Sequence, residues 1–173
     1  MTDEDEGEAP LRAQPATFDD MFRDNYAGLV RSLTVAAGDR ELAADCVQEA
    51  FTRAYVRWRR ISRYDDPAGW VRRVAVNRLR DHWRRSRRKD RAVARLGAQL
   101  EDVEPPSEPP SADPSLAAAV AGLPDRQREA VALFYVEGLT VREVADSMKL
   151  SEGAVKYHLH EGRERLRGVL EHS

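Results

Sequence analysis

Residues 97–115, GAQLEDVEPPSEPPSADPS, hold five prolines and five acids. Proline donates no backbone hydrogen bond and breaks helices. So polar a stretch cannot bury enough apolar surface to offset the entropy of ordering it. It reads as an extended, semi-stiff acidic linker. A chain of 173 residues must therefore build its cores on either side of it, as two small bodies at 16–96 and 116–173. Residues 1–15, opening MTDEDEGEAP, show no periodicity and read as a disordered acidic tail.

Both bodies are written at helical spacing, so the predicted fold class is all-α. In the first, Phe18, Met21, Phe22, Tyr26, Leu29, Val30 and Leu33 recur at steps of three and four up to Gly38. Asp39 then caps a second helix with Ala43, Val47, Ala50, Phe51, Ala54 and Trp58 inward. Asp45, Gln48, Glu49 and Thr52 fall on its opposite side. After the turn ISRYDDPAGW, Pro67 suits the first turn of a third helix with a stripe of Val71, Val74, Ala75 and Leu79. The stripe fades after Trp83 while the arginines continue.

Charge is segregated rather than balanced. The net charge is only −2, yet residues 57–95 hold fifteen basic residues against Asp65, Asp66, Asp81 and Asp90. Residues 1–20 hold seven acids against Arg12 alone. The pattern suggests a polyanion-binding body with acidic flanks. No apolar run approaches the roughly 20 residues of a membrane helix. The acidic N-terminus is neither a signal nor a transit peptide, so a cytoplasmic, membrane-free protein is expected. The single cysteine, Cys46, can form no internal disulfide and is expected to be a small buried hydrophobe.

In the second body, Pro124 opens a helix that buries Ala130, Val131, Leu133, Phe134 and Val136 and stops at Gly138. Thr140 and Glu143 form a capping box before Val141, Val144, Ala145 and Met148. After the tight turn KLS, Ser151 caps a last helix with Val155, Leu159, Gly162 and Leu166 inward. Two short helices joined by such a turn make a helix-turn-helix, whose second helix enters the major groove of DNA. The outward residues Glu152, Gly153, Lys156, Tyr157, His160 and Arg163 are the candidate DNA contacts. Gly153 lets the backbone approach, and Lys156 and Arg163 reach phosphates or guanine edges.

DCVQEAFTRAY, WVRRVAVNRLRDHWRR and LPDRQREAVALFYVEGLTVREVADSMKLSEGAVKYHLHEGRERLR together resemble the bacterial sigma-70 family, in its extracytoplasmic-function (group 4) branch. The first two look like region 2 and the third like region 4, in family order. The arginine-rich, alanine-rich composition fits its actinobacterial, SigE-like members. The resemblance implies a promoter-specificity subunit of RNA polymerase. Region 2 would bind the beta-prime clamp helices through Asp45, Gln48, Glu49 and Arg53, and region 4 the beta flap. Region 2 would also hold the opened −10 element. There the resemblance implicates Asn77, with Arg73, Arg78, Arg80, Arg84, Arg85, Arg87 and Arg88 on phosphates and Trp83 on bases. Asn77 also reads as a packing amide, Trp83 as a core residue, and Trp70 as the start of the apolar stripe. The −35 element would fall to the six outward residues of the last helix. Two features there depart from the family pattern. Tyr157 and His158 replace a common Ser-Arg pair, and Glu161 stands where arginine is common, so that it must read cytosine or pair with Arg165. Family habit adds an anti-sigma factor as partner.

The residues also fit a stand-alone helix-turn-helix regulator acting as a dimer. They carry no Walker loop, no dinucleotide fingerprint and no His/Cys/carboxylate set at metal-ligand spacing. No catalytic residue, metal or cofactor is expected, and the protein is not expected to be an enzyme.

Overall fold

A computed structural model describes residues 17–96 and 114–171, helical apart from short connecting segments. The acidic tail and nearly all of the linker lie outside the described residues. Helix α1 spans Phe18–Ala37, capped by Thr17, whose side chain accepts from the Asp20 amide. It ends where Gly38 turns left-handed at φ 69°, a conformation glycine takes without steric cost. Helix α2, Arg40–Val56, starts at Asp39 as expected, its carboxylate accepting from the Leu42 amide. A one-turn helix α3, Trp58–Ile61, follows, so Trp58 belongs to the turn and not to α2. Helix α4 runs from Pro67 to Arg95. At about 1.5 Å per residue its 29 residues span some 43 Å.

The first core is formed by Met21, Leu29 and Leu33 of α1, Val47 and Phe51 of α2, and Val71, Ala75, Val76 and Leu79 of α4. Each fully buried leucine contributes about 1.5–3 kcal/mol. Ala43, Ala50 and Ala54 let α2 approach its neighbours closely. Cys46 is buried, and burial pushes its thiol up to about 11. Trp70 is half-buried and packs on this core.

The second body comprises α5 (Pro114–Ala121), α6 (Asp125–Val131), a π-helical stretch (Ala132–Val136), α7 (Val141–Met148) and α8 (Glu152–Leu170). Ala130, Leu133, Val144, Met148 and Val155 form its apolar centre, each 1% exposed or less. Gly162 is the contact point of α8 with α6. A Cβ there would come 2.9 Å from Val131 Cγ2. The π stretch widens the end of α6, with the Glu137 amide reaching back to the Ala132 carbonyl. Val136, expected inside, is consequently 38% exposed.

The two bodies pack on each other. α1 touches α5, α6 and the π stretch, and α4 lies along α7. One continuous cluster of buried apolar side chains runs through both. No helix among the described residues is long and apolar enough to cross a membrane.

Candidate nucleic-acid interface

The helix-turn-helix is built by local chemistry. Thr140 Oγ1 accepts from the Glu143 amide at 3.2 Å while the Glu143 carboxylate accepts from the Thr140 amide at 2.8 Å, closing the expected capping box. Lys149 then adopts φ 54°, ψ 46°, its amide bonding the Ala145 carbonyl, and reverses the chain. Ser151 Oγ accepts from the Ala154 amide at 3.1 Å and starts α8. With Val155 and Leu159 buried, all six outward candidates, Glu152, Gly153, Lys156, Tyr157, His160 and Arg163, are exposed on α8. Tyr157 is 60% exposed. Of the two roles open to Glu161, the ion pair with Arg165 is not formed among the described residues; Arg167 pairs with Glu164 at 2.9 Å. His158 is half-buried. Burial, then the charge of Arg126, pushes its imidazole below the ordinary value.

On α2, Asp45 and Gln48 are exposed on one face, with Thr52 beside them. Glu49 is half-buried and already engaged, by Arg53 at 2.6 Å and by Arg78 of α4. Arg53 and Arg78 therefore share one carboxylate. Sequence reasoning missed that the same face continues through Tyr55 and Val56, 67% and 77% exposed. Their signal was readable: each lies seven residues or more beyond Asp45 or Gln48, two helical turns along one side.

On α4, Arg84, Arg85, Arg87 and Arg88 are exposed, and Arg73, Asn77, Arg78, Arg80 and Trp83 are half-buried. Arg84 pairs with Asp81 at 2.6 Å, and Arg85 Nε donates to the Asp81 carbonyl at 3.3 Å. Arg80 is occupied by the C-terminal body. Its Nη1 donates to the Met148 carbonyl at 2.7 Å, at the negative end of α7. Its Nε donates to Glu129 Oε2 at 3.2 Å, and its Nη2 lies 2.8 Å from Oε1. Arg87 pairs with Asp125. Arg128 donates to the Ala36 carbonyl at 2.6 Å and lies over the Trp83 ring at 5.8 Å.

A second buried lock sits where the π stretch ends. Glu137 Oε1 accepts from Arg72 Nε at 3.3 Å, and its Oε2 accepts from Ser32 Oγ at 2.9 Å. The Arg72 side chain is 3% exposed. Burial raises the Glu129 carboxyl above its ordinary value, outweighing the pull of Arg80. Arg80 and Arg87 of the phosphate-binding candidates are thus neutralised by acids of the other body. Among the described residues no group of three or more His, Cys, Asp or Glu is arranged to hold a metal ion.

Two family models match the chain. Sigma-70 region 2 matches residues 18–89, and Sigma-70, region 4 matches residues 115–166. The chain is 29% identical over 157 residues to the ECF RNA polymerase sigma factor SigM of Bacillus subtilis, covering 88% of this chain and 94% of that one. It is 31% identical over 156 residues to the RNA polymerase sigma-E factor of Streptomyces antibioticus, covering 89% and 84%. Among solved structures, the fold is similar to the sigma factor RpoE of Bartonella quintana in complex with the anti-sigma factor NepR. The TM-score is 0.64 at 19% identity, over 88% of this chain and 98% of that one. CnrH in complex with the cytosolic domain of CnrY gives 0.60 at 21% identity, over 90% and 88%.

Proposed function

The chain belongs to the bacterial sigma-70 family, as an extracytoplasmic-function sigma factor of RNA polymerase with regions 2 and 4, and from that premise we propose which of its surfaces carry the family's work. A sigma factor is a non-enzymatic polymerase subunit, so binding and positioning are the whole of its chemistry. Region 2 docks on the beta-prime clamp helices through the exposed Asp45–Gln48 face of α2. Glu49 and Arg53 border that face as a self-paired rim, and Tyr55 and Val56 extend it with apolar area. Region 4 lays α8 in the major groove of the −35 element, with Gly153 and Lys156 at the entering end, and meets the beta flap. The −10 strand is held on α4 by Asn77 and Trp83, with Arg73, Arg78, Arg80, Arg84, Arg85, Arg87 and Arg88 on phosphates. Such contacts supply salt-dependent affinity and little sequence information.

The observation that carries this reading is the complete exposure of the outward α8 set beside a capped, tightly turned helix pair. The arrangement is closed, however. Arg80 cannot reach a DNA phosphate while it holds Glu129 and the Met148 carbonyl. Engagement of both promoter elements therefore requires the regions to part. An anti-sigma partner is proposed too, since the similar fold of the sigma factor RpoE is in complex with the anti-sigma factor NepR. Its ground would be the faces that opening exposes.

The test is transcription in vitro with sigma-free core polymerase and mapped start sites. The parent chain initiates at defined points, and Asp45→Ala/Gln48→Ala loses core binding while keeping its helix content. Tight binding of a symmetric operator by a dimer, with no initiation, would instead establish the stand-alone regulator.

A further inference from the structure

Where α4 passes α6 and α7, the packing leaves a cavity of about 440 Å³ between regions 2 and 4. That size lies within the range of small-ligand sites. Its walls are lopsided in charge. Region 2 contributes Arg80, Arg84 and Arg87, region 4 contributes Arg126 and Lys149, and the acids present are Asp125 and Glu129. Three of the five cations have carboxylate partners: Arg80 with Glu129, Arg87 with Asp125, and Arg84 with Asp81. Arg126 and Lys149 form no ion pair among the described residues. Burial, and next the positive charge of Arg80, pushes the Arg126 guanidinium below its ordinary value. Arg80 Nη2 is itself buried and, at its bent approach to Glu129, without a hydrogen bond.

We propose that this cleft binds a small oligophosphate, an anion carrying two or more phosphoryl groups, gripped by side chains of both regions. Phosphoryl oxygens accept several charge-assisted hydrogen bonds at once, which matches arginine forks and a lysine converging on one cavity. A single orthophosphate cannot span the cleft. Arg80 and Arg87 lie seven residues apart on α4, about 10 Å along its axis, and Arg126 and Lys149 face them from another domain. A duplex is too large for the cavity. A bound oligophosphate ties region 2 to region 4 and draws on Arg84 and Arg87. It therefore favours the closed arrangement and competes with promoter phosphates. The competition rests on the proposed −10 role of α4; the binding does not.

Titration calorimetry on the full chain, without polymerase, separates the two. Inorganic pyrophosphate and a nucleoside diphosphate are the probes, with orthophosphate as control, at low salt. Saturable one-to-one binding of pyrophosphate, with orthophosphate much weaker, is expected. The double variant Arg126→Gln/Lys149→Gly weakens it by roughly tenfold or more, through loss of charge-assisted contacts. Neither residue belongs to the proposed DNA or polymerase surfaces, and glycine suits the left-handed backbone at Lys149. A thermal melt checks that the variant is folded. Arg59→Gln/Arg63→Gln removes the same charge from exposed positions elsewhere on region 2 and leaves binding unchanged. A nucleoside diphosphate that binds more tightly than pyrophosphate shows that the nucleoside adds contacts beyond the phosphoryl groups, and equal affinity makes the site purely phosphoryl. Absence of saturation, or equal loss in both double variants, overturns the proposal and leaves the initiation role standing.

Discussion

Glu137→Ala tests whether polar contacts hold the two regions together. In the closed arrangement its carboxylate is 9% exposed and takes a hydrogen bond from Arg72, which is 3% exposed, and another from Ser32. Ser32 also donates to the Leu29 carbonyl at 3.1 Å, so it keeps a partner when Glu137 is removed. Arg72 does not: no other contact of its guanidinium is shared with an acid among the described residues. Stranding one member of a buried ion pair costs about 3–5 kcal/mol. When the regions part, water reaches Arg72, so the penalty falls on the closed form. At 1.4 kcal/mol per decade, the closed-to-open ratio should fall by roughly a hundredfold or more. Small-angle scattering should show the variant expanded relative to the parent, and its denaturant midpoint should drop. Arg72→Met/Glu137→Met, which replaces the pair with apolar side chains, should recover both, because no charge is left stranded. A variant as compact as the parent, with an unfolding free energy lowered by less than about 0.5 kcal/mol, would refute the view that this pair holds the regions together.

Further outcomes follow from the packing. Gly162→Ala should gain about 1 kcal/mol from helix propensity, yet destabilise the protein by urea melting, because overpacking against Val131 Cγ2 costs about 1–3 kcal/mol. Adding Val131→Ala should reverse the loss. Cys46, with its thiol at about 11, should alkylate at pH 8 at a rate set by opening of the core, and rapidly in denaturant. Glu129 has its carboxyl raised by burial, so the folded chain binds that proton more tightly than the unfolded chain. Its contribution is greatest below the ordinary carboxylate value of about 4.3 and is lost as pH rises through the raised value. Glu129→Gln should flatten that fall in denaturation curves taken across pH. Identical slopes for parent and variant would rule out Glu129 as the source.

What could be read from the residues was what depends on neighbours in the chain. Gly38, Asp39, the Thr140–Glu143 box and Ser151 set helix ends through bonds spanning three or four residues, and each stands where its pattern placed it. The outward set of α8 followed from its inward set for the same reason. What escaped the sequence is long-range. Ser32 meets Glu137 across 105 residues, and Arg80 meets Glu129 across 49, with nothing local to announce either pairing. One signal was present: Glu129 lies three and four residues before Ala132 and Leu133, where α6 turns into the core and a carboxylate needs a partner. The π stretch was invisible because ALFYV is as compatible with an ordinary helix, and it is what turns Val136 outward.

The charge segregation acquires a physical role in this arrangement. Residues 57–95 carry an excess of eleven positive charges, and so dense a positive segment attracts polyanions. Region 4 answers with Asp125, Glu129 and Glu137, set against Arg87, Arg80 and Arg72 at spacings of seven or eight residues along α4. Two-turn spacing puts all three arginines on one side of the helix. An apolar seam of the same area would hold at least as well. It would not, however, release its grip in exchange for another set of charges. On the proposed function Arg80 and Arg87, once freed from Glu129 and Asp125, would gain phosphates, so part of the cost of opening would be returned when DNA binds. On this argument salt should act on the two steps in opposite senses. Screening loosens the exposed Arg87–Asp125 contact and so favours opening, while it weakens the phosphate contacts that follow. Binding of a single-stranded −10 oligonucleotide should therefore fall less steeply with salt in the parent than in Glu129→Gln/Glu137→Gln, where opening is already relieved. Parallel salt slopes would show that the acids of region 4 do not compete with DNA for α4.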